Sequence, residues 1–120
     1  MQISVIIPVL DEEASIGACL AQFQSDADVE LIVVDGGSRD ATRKVVDALG
    51  QVRWVQAPDT GRAHQMNAGA QEATGDVFLF LHSDTFLPED GLGLIRKSLV
   101  NTQVVGGRFQ LGLSEDTIGF

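Results

Sequence analysis

At 120 residues the chain has the length of one domain, enough for a genuine core but short for an enzyme with a separate substrate domain. Eight Lys and Arg against 17 Asp and Glu give a formal charge of -9 with no basic run, which argues against a nucleic-acid surface or a polybasic membrane patch. An anionic ligand would need a divalent cation held by acidic side chains, since such an ion reverses the local field.

The single Cys19 makes neither an intrachain disulfide nor a thiolate metal cluster, and it falls within an apolar helical pattern as a packed core thiol. No apolar run approaches the ~18 residues of a membrane span, and the chain begins on a strand pattern without a leader, so a cytoplasmic location is expected.

Gln2 to Val9 is rich in Ile and Val and reads as a first strand closing at Pro8, which a strand end tolerates. The loop Leu10–Glu13 leads into a helix over Ala14–Phe23, with Ile16, Cys19, Leu20 and Phe23 at helical spacing. Asp11, Glu12 and Glu13 admit two readings: acids that cap and offset the dipole of that helix, or groups serving a site at the carboxyl edge of a sheet.

Glu30 to Asp35 is the second strand, ending in Asp35-Gly-Gly-Ser-Arg-Asp40. Paired glycines after a buried strand permit unusual backbone geometry and close approach of a ligand. Ser38 is placed to cap a helix from Arg39 or Asp40 to Leu49, with Val45, Val46 and Leu49 inward. The glycines do not spell G-x-G-x-x-G, and G-x-x-x-x-G-K-[ST] is absent from the chain, so dinucleotide and P-loop readings lose their support. Asp35 alone could make an Asx-turn or meet a ligand.

Val52–Gln56 is a third strand whose Trp54 is a core or partner-facing aromatic. A helix from Arg62 to about Ala73 follows, small-sided through Ala63, Ala68, Gly69 and Ala70. An interior Gly costs ~1 kcal/mol against Ala, so close packing or ligand approach should offset Gly69. Arg62 in the first turn opposes the helix dipole, which fits either an anion held at the free amides or a solvated surface Arg. His64 reads as a surface or satisfied polar group, with ligand contact the lesser alternative.

Five apolar residues, Val77–Leu81, sit between Gly75-Asp76 and the polar cluster His82-Ser83-Asp84-Thr85, the pattern of a central strand buried on both faces. If the extension continues, His82 and Asp84 project to one side and Ser83 to the other. Pro88 then opens a helix to Val100 with Leu92, Ile95 and Leu99 inward, and Val104–Leu111 reads as a further strand. Strands separated by helical segments predict an α/β, Rossmann-like domain with a mainly parallel sheet and helices on both faces. Its carboxyl edge would gather Asp11-Glu12, Asp35-Gly36, Gly61-Arg62 and His82-Ser83-Asp84.

These segments resemble family-2 glycosyltransferases of the type A fold. Ser4-Val-Ile-Ile-Pro-Val-Leu-Asp-Glu-Glu13 is similar to their opening strand and loop, and Val33-Val-Asp-Gly-Gly-Ser-Arg-Asp-Ala-Thr42 to their second signature. Gly61-Arg-Ala-His-Gln-Met-Asn-Ala-Gly69 is similar to their Asn-x-Gly helix, Phe80-Leu-His-Ser-Asp-Thr85 to their D-x-D segment, and Val105-Gly-Gly107 to the next strand. The resemblance implies a nucleotide-diphosphate sugar, a UDP-sugar foremost, bound with Mn²⁺ or Mg²⁺ for transfer to an unidentified acceptor. It places Pro8, Glu12, Asp35, Gly36, Arg62, Asn67, His82 and Ser83 around the nucleotide, with Asp35 accepting from the base and Arg62 facing the diphosphate. Asp84 would hold the metal. His82 stands where the family's first D-x-D acid is, and as metal ligand, ribose contact or packing group its role stays open.

Family members continue well beyond this length with the acceptor half and a general base, so this chain resembles their nucleotide-sugar-binding portion. Glu115-Asp116 follows Gly106-Gly107 too soon to match that base. Three other readings compete. A nucleotidyltransferase would want a basic, glycine-rich loop where Leu10–Glu13 stands, and a phosphate receiver module would want an Asp after the third strand and a late Lys beyond the fifth. A non-catalytic nucleotide-binding or assembly domain, self-associating through apolar surface left by a missing acceptor half, is the alternative outside transfer chemistry.

Overall fold

The computed structural model describes residues 2–59, 61–88, 90–100 and 109–113. Strands and helices alternate as expected: β1 (Ile3–Val9), α1 (Ile16–Ala21), β2 (Val29–Asp35), α2 (Thr42–Leu49), β3 (Val52–Gln56), α3 (Arg62–Glu72), β4 (Val77–Leu81), α4 (Gly91–Val100) and β5 (Phe109–Leu113). They build one sheet in the order β3-β2-β1-β4-β5, with every neighbouring pair parallel. The chain steps outward from β1 to β2 to β3, then returns past β1 to place β4 on its other side. That reversal between β1 and β4 is where an open α/β sheet leaves a crevice at its carboxyl edge.

Alternation along the strands feeds two cores. Ile3, Val5, Ile7 and Val9 of β1, Leu31 and Val33 of β2, and Val77, Leu79 and Leu81 of β4 face α1, α2 and α4 through Ile16, Cys19, Leu20, Val46 and Ile95. Ile6, Ile32, Val34, Phe78 and Phe80 form the opposite cluster, against which Met66, Ala68 and Ala70 of α3 pack. Helices thus cover both faces. Trp54 lies half-buried against the first cluster with the Arg43 guanidinium 5.3 Å above its ring. At the amino edge the Glu30 carboxylate accepts from the Ser4 hydroxyl (2.8 Å), the Thr74 amide (2.9 Å) and the Thr74 hydroxyl (3.0 Å), fixing the turn that enters β4. No helix among the described residues is long and apolar enough to cross a membrane.

Several boundaries differ from the sequence reading for identifiable reasons. The first helix covers Ile16–Ala21 rather than Ala14–Phe23: Phe23, Gln24 and Asp26 donate to carbonyls three residues back, so the chain continues in tighter turns. Phe23 is still buried, because apolar spacing reports which face is inward and not the hydrogen-bond pattern. The second helix starts at Thr42, not at Arg39 or Asp40, because the Asp40 carboxylate bonds both the amide and the hydroxyl of Thr42 and turns the chain first. Ser38 does not cap it. Pro88 precedes α4 by three residues and accepts from the Gly91 amide instead of opening the helix. Pro8 lies inside β1 beyond Ile6, where the β4 ladder stops, so a missing amide is tolerated there. The last strand is described over Phe109–Leu113, so it runs past the expected end at Leu111; residues 104–108, with Gly106 and Gly107, and Glu115-Asp116 lie outside the described residues.

Candidate functional site

Because β2, β1 and β4 are consecutive in the sheet, the segments after them emerge side by side, roughly 4.8 Å per strand. Asp35–Asp40, Leu10–Glu13 and His82–Thr85 therefore share one edge, and the amino end of α3 arrives beside them.

Asp35 is only 4 % exposed. Its carboxylate accepts from the Gly37 amide (3.0 Å) and the Ser38 amide (3.0 and 3.1 Å), an Asx-type turn that Gly37 completes at φ 114°. Burial pushes this carboxyl up, but bonds from Ser38, Gln56 and Gly37 outweigh it and hold the acid below the usual carboxylate range. It is an anchored anion whose oxygens retain further acceptor capacity.

The acidic side chains do not cap α1: Ser15 makes no side-chain capping bond, the first turn holds no acid, and it is the Glu12 carbonyl that accepts the Ser15 and Ile16 amides. The acidic loop is stitched to the loop after β2. Asp11, at φ 53°, donates its amide to Ser38 Oγ (2.9 Å) and accepts at Oδ1 from the Arg39 and Asp40 amides (2.7 and 3.3 Å). The Glu12 amide donates to Thr42 Oγ1 (2.9 Å) and the Glu13 amide to Asp40 Oδ2 (3.3 Å). Two loops nearly thirty residues apart in sequence thus form one platform beside Asp35, with the Glu12 side chain half-buried and Pro8 half-buried at its margin.

Gly69 lies against the sheet, not against the edge: a Cβ there would stand 2.5 Å from Ile6 Cγ2 and 2.7 Å from Val34 Cγ2. Close packing is what its presence permits. Arg62 and Asn67 are exposed on α3, and so is His64, as the sequence suggested. The residue that sequence reasoning passed over is Gln65. It is 5 % exposed, and its Nε2 donates to Val9 O (2.8 Å) and Val34 O (3.0 Å). Its amide also lies 2.9–3.0 Å from where a Cβ on Gly36 would be, so Gly36 accommodates a protein side chain. A polar residue in the inward register of the small-sided helix was the available signal.

After Leu81 the chain does not remain extended. The Thr85 amide bonds to His82 O (3.0 Å), closing a turn, so strict alternation of His82, Ser83 and Asp84 fails. His82 is half-buried, Ser83 buried and Asp84 exposed. Beneath the turn, Cys19 Sγ lies 3.7 Å from both His82 O and Thr85 O, and Gln22 Nε2 donates to Thr85 O (2.9 Å). Burial above all, with the nearby Asp84 charge assisting against a Gln22 bond, pushes the Cys19 thiol up to about 12. It is the inert core thiol expected.

Among the described residues no group of three or more His, Cys, Asp or Glu side chains could hold a metal ion alone. An exposed Asp84 with His82 two residues before it is a sparse donor set. A hard divalent cation that takes a single carboxylate oxygen and completes its shell with phosphate and water is compatible with Asp84.

A glycosyl transferase family 2 model matches residues 4–117. The chain belongs to that family. A PGL/p-HBAD biosynthesis glycosyltransferase of Mycobacterium bovis is 39 % identical over 93 residues, 72 % of this chain and 36 % of that protein. Glucosyl-3-phosphoglycerate synthase from Mycobacterium tuberculosis, solved with Mn²⁺, UDP and glucosyl-3-phosphoglycerate, superposes with TM-score 0.71 at 28 % identity, covering 83 % of this chain and 40 % of that one. Staphylococcus aureus TarS shares the fold, with TM-score 0.71 at 22 % identity over 89 % of this chain and 39 % of its own. This family-2 chain thus spans well under half the length of the relatives it matches.

A cavity of about 350 Å³ lies between the end of α1 and the start of α4, lined by Gln22, Phe23, Leu87, Leu92 and the Arg96–Asp26 ion pair. None of the candidate nucleotide or metal residues lines it.

Proposed function

We propose that this chain is the donor half of a glycosyltransferase, binding a nucleoside-diphosphate sugar, a UDP-sugar foremost, together with Mn²⁺ or Mg²⁺. The observation that carries the reading is the placement of Asp35, the acidic loop and the His82–Asp84 turn on one edge, at the reversal of strand order, in a chain of this family. Asp35, held ionised by its turn, accepts from the nucleobase. Pro8, Glu12 and Gly36 border it. The amino end of α3 offers free amides to the diphosphate, with Arg62 as the cation and Asn67 further along the same helix. Asp84, with His82 and Ser83 in the same turn, holds the divalent ion, which when bound supplies a Lewis acid for the departing diphosphate. The Mn²⁺ and UDP of the mycobacterial synthase support the choice of metal and nucleotide. No described residue is assigned as general base.

Calorimetry with UDP and GDP tests the donor site. Binding should require Mn²⁺ or Mg²⁺, and Asp84→Asn should weaken it by about tenfold or more, since even indirect metal-site changes cost that much. Equal affinity in the presence of chelator would refute the shared-metal site.

A further inference from the structure

We infer that Gln65 is the positioning residue of this donor site, fixing the amino end of α3, and Arg62 with it, at a set reach from the Asp35-Gly36 turn; the inference rests on the donor reading above. Gln65 and Arg62 are three residues apart in the first turn of α3. Gly36 follows Asp35 directly.

The apolar contacts of α3, with Gly69 close on Ile6 and Val34, hold the helix against the sheet but carry no hydrogen-bond direction. Gln65 adds direction. Its two bonds reach adjacent strands, β1 at Val9 and β2 at Val34, so they set both the height and the rotation of the helix end. Val9 O is shared, because it also accepts the Gly36 amide at 3.0 Å, so one carbonyl joins the turn bearing Asp35 to the helix bearing Arg62. Near-equal distances from the Gly36 Cβ direction to Gln65 Cδ, Nε2 and Oε1, 2.9, 3.0 and 3.0 Å, place the amide face-on to Gly36. A side chain at position 36 would displace it. Glycine and glutamine are thus matched, and base subsite and diphosphate subsite meet at their contact.

Two subsites held at the right spacing bind a joined ligand far better than its parts, an advantage lost when the spacing loosens. Gln65→Met keeps length and burial but donates nothing. In titrations with Mn²⁺, followed by calorimetry for UDP and by saturation-transfer NMR for uridine, this variant should weaken UDP by about tenfold while uridine changes by no more than about twofold. If Gln65→Met does not fold, Gln65→Glu carries the same comparison, with partial recovery of UDP binding at low pH, where the protonated carboxyl regains one donor. Equal factors for UDP and uridine, or no change in either, would overturn the positioning role while leaving the donor site intact. A parent chain that binds neither would remove the donor reading itself.

Discussion

Gly69→Ala sets two known magnitudes against each other. In an exposed helix interior this change stabilises by about 1 kcal/mol, through backbone entropy lost less heavily on folding. Here the new methyl would stand 2.5 Å from Ile6 Cγ2 and 2.7 Å from Val34 Cγ2, whereas carbon atoms settle at about 3.5–4.0 Å. Both neighbours are fully buried, β-branched and on adjacent strands, so neither side chain can swing away; α3 would have to lift by roughly 1 Å. Overpacking costs about 1–3 kcal/mol, and two simultaneous clashes put this case at the upper end, leaving a net loss near 2 kcal/mol. Urea unfolding followed by Trp54 fluorescence should show the midpoint fall by about 1 M, given a slope of about 1–3 kcal/mol/M. Ala63→Gly, on the exposed face of the same helix, should cost about 1 kcal/mol by propensity alone. A Gly69→Ala protein as stable as the parent would refute the packing argument and mean that α3 is free to shift.

Asp35→Asn keeps an acceptor for the Gly37 and Ser38 amides but removes the charge, so it should fold normally and lose about 1.5–3 kcal/mol of discrimination between UDP and GDP; an unchanged UDP-to-GDP ratio in calorimetry would contradict the base contact. Asp26, Glu30 and Asp35 are all held below the usual carboxylate range: Asp26 by Arg96, and the other two by hydrogen bonds that outweigh burial. A lowered folded-state pKa contributes stability that is complete above the unfolded value, about 4, and drains as pH falls through the folded one, so the melting temperature should drop below about pH 4. Glu30→Gln should flatten part of that acid slope, and parallel melting curves would argue against the Ser4–Glu30–Thr74 network. Cys19, buried and shifted upward, should resist thiol reagents at pH 8 in the folded protein and react only as fast as the chain opens; rapid native labelling would place it at the surface.

Much of this protein was legible without coordinates, because its elements are specified by short-range patterns. Runs such as Leu31–Val34 and Val77–Leu81 have no polar alternation, so only a strand buried on both faces accommodates them, and the intervening 3.6-residue spacing supplied the helices and their inward stripes. The edge where function gathers followed from the order of strand and helix. What the linear pattern did not determine was which partner each polar group chose. The Asp11 carboxylate accepts from the Arg39 and Asp40 amides, and the amides of Asp11, Glu12 and Glu13 donate to the side chains of Ser38, Thr42 and Asp40, twenty-seven to thirty residues away. Gly36 makes room for Gln65, Gly69 for Ile6 and Val34, and the chain turns after Leu81 where alternation alone would have kept it extended. Apolar burial is non-directional and leaves a periodic trace in sequence; a hydrogen bond depends on ångström-level placement of groups that only the packed sheet and helices bring together.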